Sequence, residues 1–355
     1  MNIRSIARPT GFFIFLLFTM GMGILVMACG GGEKTGNQEF ENHLSSGIPG
    51  VANLTLKILD NPEDPDLYHD RAALYFSEGV LDTAEEDWRK AIELDGENPE
   101  YYHRLSDVLM DNNRPMDAIE VMEDVVELYP DRIPGLLKLG EMYLIMGMDE
   151  KAMTSFKRVL EIEAHNADGL FMIGLTHRET GETENAIPFF VSTLEVDPTY
   201  TEAYLLMGQI LMEQDNELAE RYFSNAIRSA PDNPTVYHAL AEYYYFKDNL
   251  EKALDVYANM HLRFPSYAEG FFSSGILFLE QEKLDEAYRM FHMAVQIRPT
   301  MARGYFFRGK IYELRGDYTR ALDQYDQAIS LAPAYSEANE AYESLRARVA
   351  EGMVN

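Results

Sequence analysis

Residues 99–132 read PEYYHRLSDVLMDNNRPMDAIEVMEDVVELYPDR, and this stretch decides the fold. Tyr102, Leu105, Ser106 and Leu109 fall at i, i+3, i+4 and i+7, which is one face of a helix. Asp111, Asn112 and Asn113 suit a helix end and a tight turn. Ala118, Met122 and Val125 form a second apolar stripe at helical spacing, and Pro130 discourages its continuation. The stretch predicts two helices joined by a turn.

The same grammar runs outward in both directions. Alanine recurs at Ala84, Ala118, Ala152, Ala186, Ala219, Ala253, Ala287 and Ala321, in steps of 34 residues with a single step of 33. Upstream lies a column of small residues: Ala72, Ser106, Gly140, Gly174, Gly208, Ala241, Gly275 and Gly309. Downstream lies Gly96, Pro130, Ala164, Pro198, Pro231, Pro265, Pro299 and Pro333. A fixed period of this length identifies a repeat array. Small residues belong where two helices cross closely, and no helix pair can bury its apolar faces alone, so the units must stack.

These columns resemble the tetratricopeptide repeat (TPR) family, whose motif runs large residue, Leu, small residue, aromatic, Ala, aromatic, small residue, Pro. The units are placed at 65–98, 99–132, 133–166, 167–200, 201–233, 234–267, 268–301 and 302–335, which is 271 of 355 residues. The resemblance implies an all-α, right-handed superhelical solenoid of about eight helix-turn-helix repeats. Residues 51–64 read as an N-terminal half-repeat or cap, and 336–355 as a capping helix (Ala338, Ala341, Leu345) and tail. Two departures carry expectations. The fifth unit lacks one residue, assigned to its turn around Asp215 and Asn216; the first has Arg71 where Leu is usual, as suits a weakly packed end.

Residues 1–28 stand outside the array. Arg4 and Arg8 precede an uncharged apolar run from Phe12 to Ala28, the layout of a secretory signal peptide. It closes on Val26, Met27, Ala28 and Cys29, which resembles a lipobox: cleavage before Cys29 and diacylation of its sulfur are implied. A plain N-terminal membrane helix with an incidental cysteine is the alternative. Cys29 is the only cysteine, so no intramolecular disulfide is available, and 29–50 reads as the lipidated residue and a flexible tether. Two or three acyl chains anchor stably where one does not. Gly30 is not aspartate, so an outer-membrane address is favoured if the cell is Gram-negative.

The chain carries 30 basic and 59 acidic residues, a net −29. Such a body does not bind nucleic acid by neutralising phosphates, and it is repelled by anionic lipid. Membrane attachment then rests on the lipid alone. The acidic excess reads as a solvated outer face, or as selection of a basic partner.

In the TPR family the first helix of each pair lines the inner groove. Carried onto this chain, the groove residues are Leu137, Glu141, Leu144, Phe171, Leu175, Arg178, Leu205, Gln209, Met212, His238, Glu242, Tyr245, Phe246, Phe272, Ile276, Leu279, Phe306 and Lys310. The stripe is unusually apolar for a solvated face, which points to contact with an amphipathic helix or a basic extended segment. Neighbouring groove positions hold His69/Ala73, His103/Asp107 and Leu137/Glu141. The Lys, Asn and Arg set with which some TPR proteins clamp a C-terminal carboxylate is absent. His69 and His103 could approach each other, but no close metal-spaced pair is present. There is no HExxH, GxSxG, P-loop or strand-GxGxxG-helix motif. The expectation is therefore no catalytic residue, no metal and no cofactor: a non-enzymatic envelope scaffold that binds protein or peptide partners. The resemblance implies roles such as outer-membrane protein assembly, pilus or secretion-machine biogenesis, or control of wall hydrolases. The alternative is a ligand-binding lipoprotein that holds a glycan or peptide for uptake, which would need aromatic rings open to solvent.

Overall fold

The computed structural model describes residues 42–353. The segment 1–28, Cys29 and most of the tether lie outside the described residues. The described residues are helical throughout their regular structure and fall into two compact units, 42–197 and 198–353.

The first unit holds α1 (Val51–Asp60), α2 (Pro65–Ser77), α3 (Leu81–Leu94), α4 (Pro99–Asp111) and α5 (Pro115–Leu128). It continues with α6 (Ile133–Ile145), α7 (Asp149–Ile162), α8 (Ala167–Glu179) and α9 (Thr183–Val196). The second unit holds α10 (Thr201–Glu213), α11 (Leu218–Ser229), α12 (Pro234–Phe246), α13 (Leu250–Arg263) and α14 (Ala268–Glu280). It closes with α15 (Leu284–Ile297), α16 (Ala302–Leu314), α17 (Tyr318–Leu331) and α18 (Ser336–Ala350). From α2 onward each first helix packs on its own second helix, and that second helix packs on the next first helix within the unit. First helices also meet directly: α6 touches α8, and α10 touches α12.

Local chemistry sets the boundaries. The Asn98 side chain accepts from the Glu100 N–H at 3.1 Å and Pro99 supplies the preset φ at the first helical position. Asp64 and Asn233 cap α2 and α12 in the same way. Every first helix ends on a residue with left-handed φ, and the seventh unit places Glu282 there at 59°. In the fifth unit Asp215 occupies this position normally, at 54°. The missing residue is therefore not in that turn. It falls between Asn216 and Ala219, where α11 begins late and spans 12 residues against 14 in the other second helices of the pairs.

Gly140 shows why the small column exists. A Cβ built there would sit 2.4 Å from the Phe156 ring, inside van der Waals contact. Phe156, Phe190, Phe223, Phe291 and Tyr325 are fully buried at the corresponding positions. The first pair departs from the expectation of a weak end. Arg71 is 5% exposed and grips Asp87 through Nε and Nη2 at 2.7 and 2.6 Å, while Nη1 donates to Thr55 Oγ1 at 3.1 Å. Arg71 thus ties α1, α2 and α3 together through a satisfied ion pair. At the other end α18 covers α17 with Ala338 and Leu345 buried, and Arg348 pairs with Glu313.

Candidate protein-binding face

In the first unit the first helices are α2, α4, α6 and α8, and they are joined across their faces by hydrogen bonds one repeat apart. Tyr101 donates to Asp66 at 2.6 Å, and burial followed by this bond pushes its phenol up to about 12. Lys138 Nζ donates to Asp107 at 2.6 Å and to the His103 carbonyl at 2.8 Å. Arg132 Nη1 lies 2.7 Å from His103 Nε2. Burial, then the charges of Lys138 and Arg132, lower His103 to about 4, so the imidazole is neutral and accepts from the guanidinium. His69 accepts from Trp88 Nε1 at 3.1 Å and its ring meets Tyr101 at 5.3 Å, so His69 and His103 are engaged separately. Among the described residues no group of three metal-ligating side chains converges.

The next step along this face differs. Glu141 keeps an exposed side chain, yet crowding by the surrounding helices raises its carboxyl pKa. The Asp168 carboxylate on α8 raises it further, and Lys138 offsets only part of this. Leu137 and Leu144 stand four residues before and three after it on α6, and they are half-buried, as are Leu175 and Arg178 on α8. The result is an acid among apolar side chains, whose charged form is disfavoured as it stands and would be favoured by an arriving cation.

In the second unit the same positions are mostly closed. His238 is buried, with Nε2 3.1 Å from Glu242 and its ring against Tyr257 and Tyr267. Burial, then the Glu242 charge, pushes the Tyr267 phenol up to about 12. Phe272 packs 5.6 Å from Phe307 on the next first helix, and the Arg303 guanidinium covers it at 4.1 Å. Phe306 packs 5.1 Å from Tyr335, and Lys310 Nζ lies 5.2 Å from its ring. Beside them Glu269 holds both Arg298, at 2.5 Å, and Arg303 at the edge of an open recess of about 540 Å³.

The structure therefore divides the sequence-derived groove. Phe171, His238, Phe272, Ile276, Leu279 and Phe306 are buried, so the apolar stripe read as exposed is in these residues packing surface. The physical reason is the direct approach of neighbouring first helices, which closes on the fifth residue in four units, at Phe171, His238, Phe272 and Phe306. Leu137, Leu144, Leu175, Arg178, Leu205, Gln209, Met212, Glu242, Tyr245 and Lys310 are half-buried, while Glu141 and Phe246 are exposed. Sequence reading placed Asp107 in the groove but missed Asp66, Tyr101, Arg132 and Lys138. Their signal was available as opposite or complementary groups 29 to 35 residues apart.

Stacked helix pairs with a half-open first-helix face make a scaffold suited to protein–protein interaction. The comparisons give it a family. Tetratricopeptide repeat models match residues 99–132, 133–166, 167–200 and 302–335, and the chain contains tetratricopeptide repeats. Among solved structures, a tetratricopeptide repeat protein from Parabacteroides merdae aligns with TM-score 0.50 at 18% identity, over 80% of this chain and 99% of that one. The C-terminal part of a TPR repeat-containing protein from Cytophaga hutchinsonii aligns with TM-score 0.50 at 17% identity, over 67% and 98%. At these identities the likeness is one of fold.

Curated relatives include the human protein O-mannosyl-transferase TMTC1, 30% identical over 142 residues, and Drosophila melanogaster protein O-mannosyl-transferase Tmtc3, 28% identical over 89 residues. The matches cover 38% and 25% of this chain but 16% and 10% of those proteins. They correct the expectation of a non-enzymatic chain: relatives that share its repeats carry transferase names. The motifs whose absence supported that expectation serve hydrolysis, metal-assisted and nucleotide chemistry, and their absence does not address sugar transfer.

Proposed function

We propose that this chain is a lipid-anchored scaffold of the bacterial cell envelope, held at a membrane through Cys29, whose first-helix face captures a protein partner for assembly or regulation of an envelope machine. The observation that carries the reading is the face around Glu141. There an exposed, pKa-raised carboxylate sits among half-buried Leu137, Leu144 and Leu175. Such a surface matches a partner segment with a Lys or Arg flanked by apolar residues. Among the described residues no helix is long and apolar enough to cross a membrane. This reading assigns attachment to the acylated Cys29 on the lipobox-like Val26-Met27-Ala28-Cys29. Cys29→Ser should abolish palmitate labelling and release the protein from the membrane fraction. Labelling that persists in this variant would sink the lipoprotein part.

A second reading draws on the shared segment with the O-mannosyl-transferases: the repeats could hold a protein substrate for sugar transfer. Transfer of mannose from a lipid-linked donor to a bound partner, lost on deletion of the repeats, would favour it. For the glycan-uptake alternative, the two rings that would carry it are poorly placed, while Phe246 is exposed. Phe171 and Phe272 are each 7% exposed, and Arg303 caps the latter.

A further inference from the structure

The chain carries the same polar register twice, buried in the first unit and half-buried in the second, and only the first copy is complete. In the first unit Thr55, Arg71 and Asp87 follow one another at intervals of 16 residues and bond to each other. In the second unit the same register, again at intervals of 16, places His292 on α15, Arg308 on α16 and Gln324 on α17. Arg308, like Arg71, stands at the packing position that Leu105 and Leu139 fill in other units. Here the arrangement has no carboxylate: Gln324 stands where Asp87 does. His292 Nδ1, Arg308 Nε and Gln324 Oε1 are all buried without a hydrogen-bond partner.

The Arg308 guanidinium lies 5.6 Å from the Tyr288 ring centre and 5.7 Å from that of Tyr305. Among the described residues it forms no ion pair, whereas neighbouring Arg315 and Arg320 pair with Asp285 and Asp317. Tyr288 hydrogen-bonds Tyr312 at 2.8 Å. Burial alone would raise the Tyr288 phenol, yet the bond to Tyr312, the charge of Arg308 with its hydrogen bond to Tyr288, and the charge of Arg315 bring it below its ordinary value; Arg308 thus spends one donor on Tyr288 while its Nε has no partner. The protein's net −29 does not cancel these positive charges, because charges beyond about 8 Å are largely screened at physiological salt.

We propose that the seam between α15, α16 and α17 binds an acidic side chain of a partner peptide, whose carboxylate takes at Arg308 the place that Asp87 takes at Arg71. The first unit supplies the template: a planar carboxylate bridging Nε and one terminal nitrogen of the guanidinium. Arg308 Nε is the donor that this geometry uses and that here lies idle. Gln324 is a flexible side chain whose Oε1 is held by no hydrogen bond, so it can yield to the incoming group. Arg315 and Arg320 lie over the neighbouring Tyr288 and Tyr312 rings, at 5.3 and 4.7 Å, and add to the positive charge there. The seam is separate from the first-helix face around Glu141, and the proposal does not rest on that reading.

The test is fluorescence anisotropy of a fluorescein-labelled Gly-Glu-Glu-Gly-Glu-Glu peptide with the full chain in detergent. Wild type should bind, more weakly as salt is raised. Gln324→Asp builds the missing carboxylate into the chain, and Arg308→Leu restores the residue used in other units. Both should fold with an unchanged or higher Tm and bind the peptide at least about tenfold more weakly. Arg308→Lys keeps the charge without the fork and guards against misfolding of either. It too should bind more weakly, and the same peptide with Lys for Glu should not compete. Wild type that fails to bind, or equal binding by Gln324→Asp and Arg308→Lys, would overturn the proposal. Binding of inorganic phosphate but not of the peptide would make this a small-anion site and overturn it as well.

Discussion

Arg71 shows how one side chain can hold an end of a repeat array. A guanidinium at a leucine position is costly unless its charge is answered and its donors are bonded, and Asp87 and Thr55 answer the charge and three of the five donors. Arg71→Leu would fill the space but take the guanidinium away from the buried Asp87 carboxylate. It should destabilise the first unit by about 3 kcal/mol in urea unfolding, whereas Arg71→Leu with Asp87→Leu should come close to wild type. His103 gives the pH dependence. Its folded pKa of about 4 lies below the ordinary 6.5, so the folded state resists protonation. That contribution is intact above the unfolded value and is lost as pH falls from about 6.5 towards 4. Between pH 7 and 5 the first unit should lose about 2 kcal/mol from this group. His103→Gln should flatten the pH profile; an unchanged profile would refute the assignment. The Arg71 pairing was not legible from the sequence, and the His103 pairing only as a spacing of about one repeat. A lone Arg or His names no partner until the fold brings residues 16 or 29 positions away beside it.

At the scale of the helix, the crossing of α6 and α7 depends on one absent atom. Gly140→Leu would drive a side chain into the Phe156 ring and force the pair apart. A loss of about 3 kcal/mol in unfolding free energy is expected, and Phe156→Ala on the same background should restore part of it. This feature was readable beforehand, because glycine alternating with an aromatic 16 residues later is a packing statement in itself. The turns were readable for the same reason: Asn, Asp and Gly tolerate left-handed φ. The late start of α11 was not. A one-residue deletion is visible in the spacing, but whether turn or helix absorbs it depends on packing around Ala219. Exposure was the least legible property. The helical pattern assigns a face to Phe171, Phe272 and Phe306, while the approach of the next first helix decides whether water reaches them.

For the molecule as a whole, regularity specifies the scaffold and irregularity specifies its contacts. The period of 34 residues yields the tetratricopeptide architecture, and nothing in it distinguishes one partner from another. The residues that break the pattern are the informative ones. Glu141 is an exposed acid amid half-buried leucines, Arg308 is a cation at an apolar position, and Cys29 lies outside the array altogether. The central claim is that a partner is held on the first-helix face. Site-specific photo-crosslinking in the native envelope tests it most directly, with benzoylphenylalanine placed at Leu144, Glu141 or Leu175 and, as the contrast, at exposed Lys157 on α7. The account predicts one discrete crosslinked protein from the three first-helix positions, lost on Glu141→Lys, and none from Lys157. Crosslinks from Lys157 alone, or a first-helix product indifferent to the charge at Glu141, would contradict it.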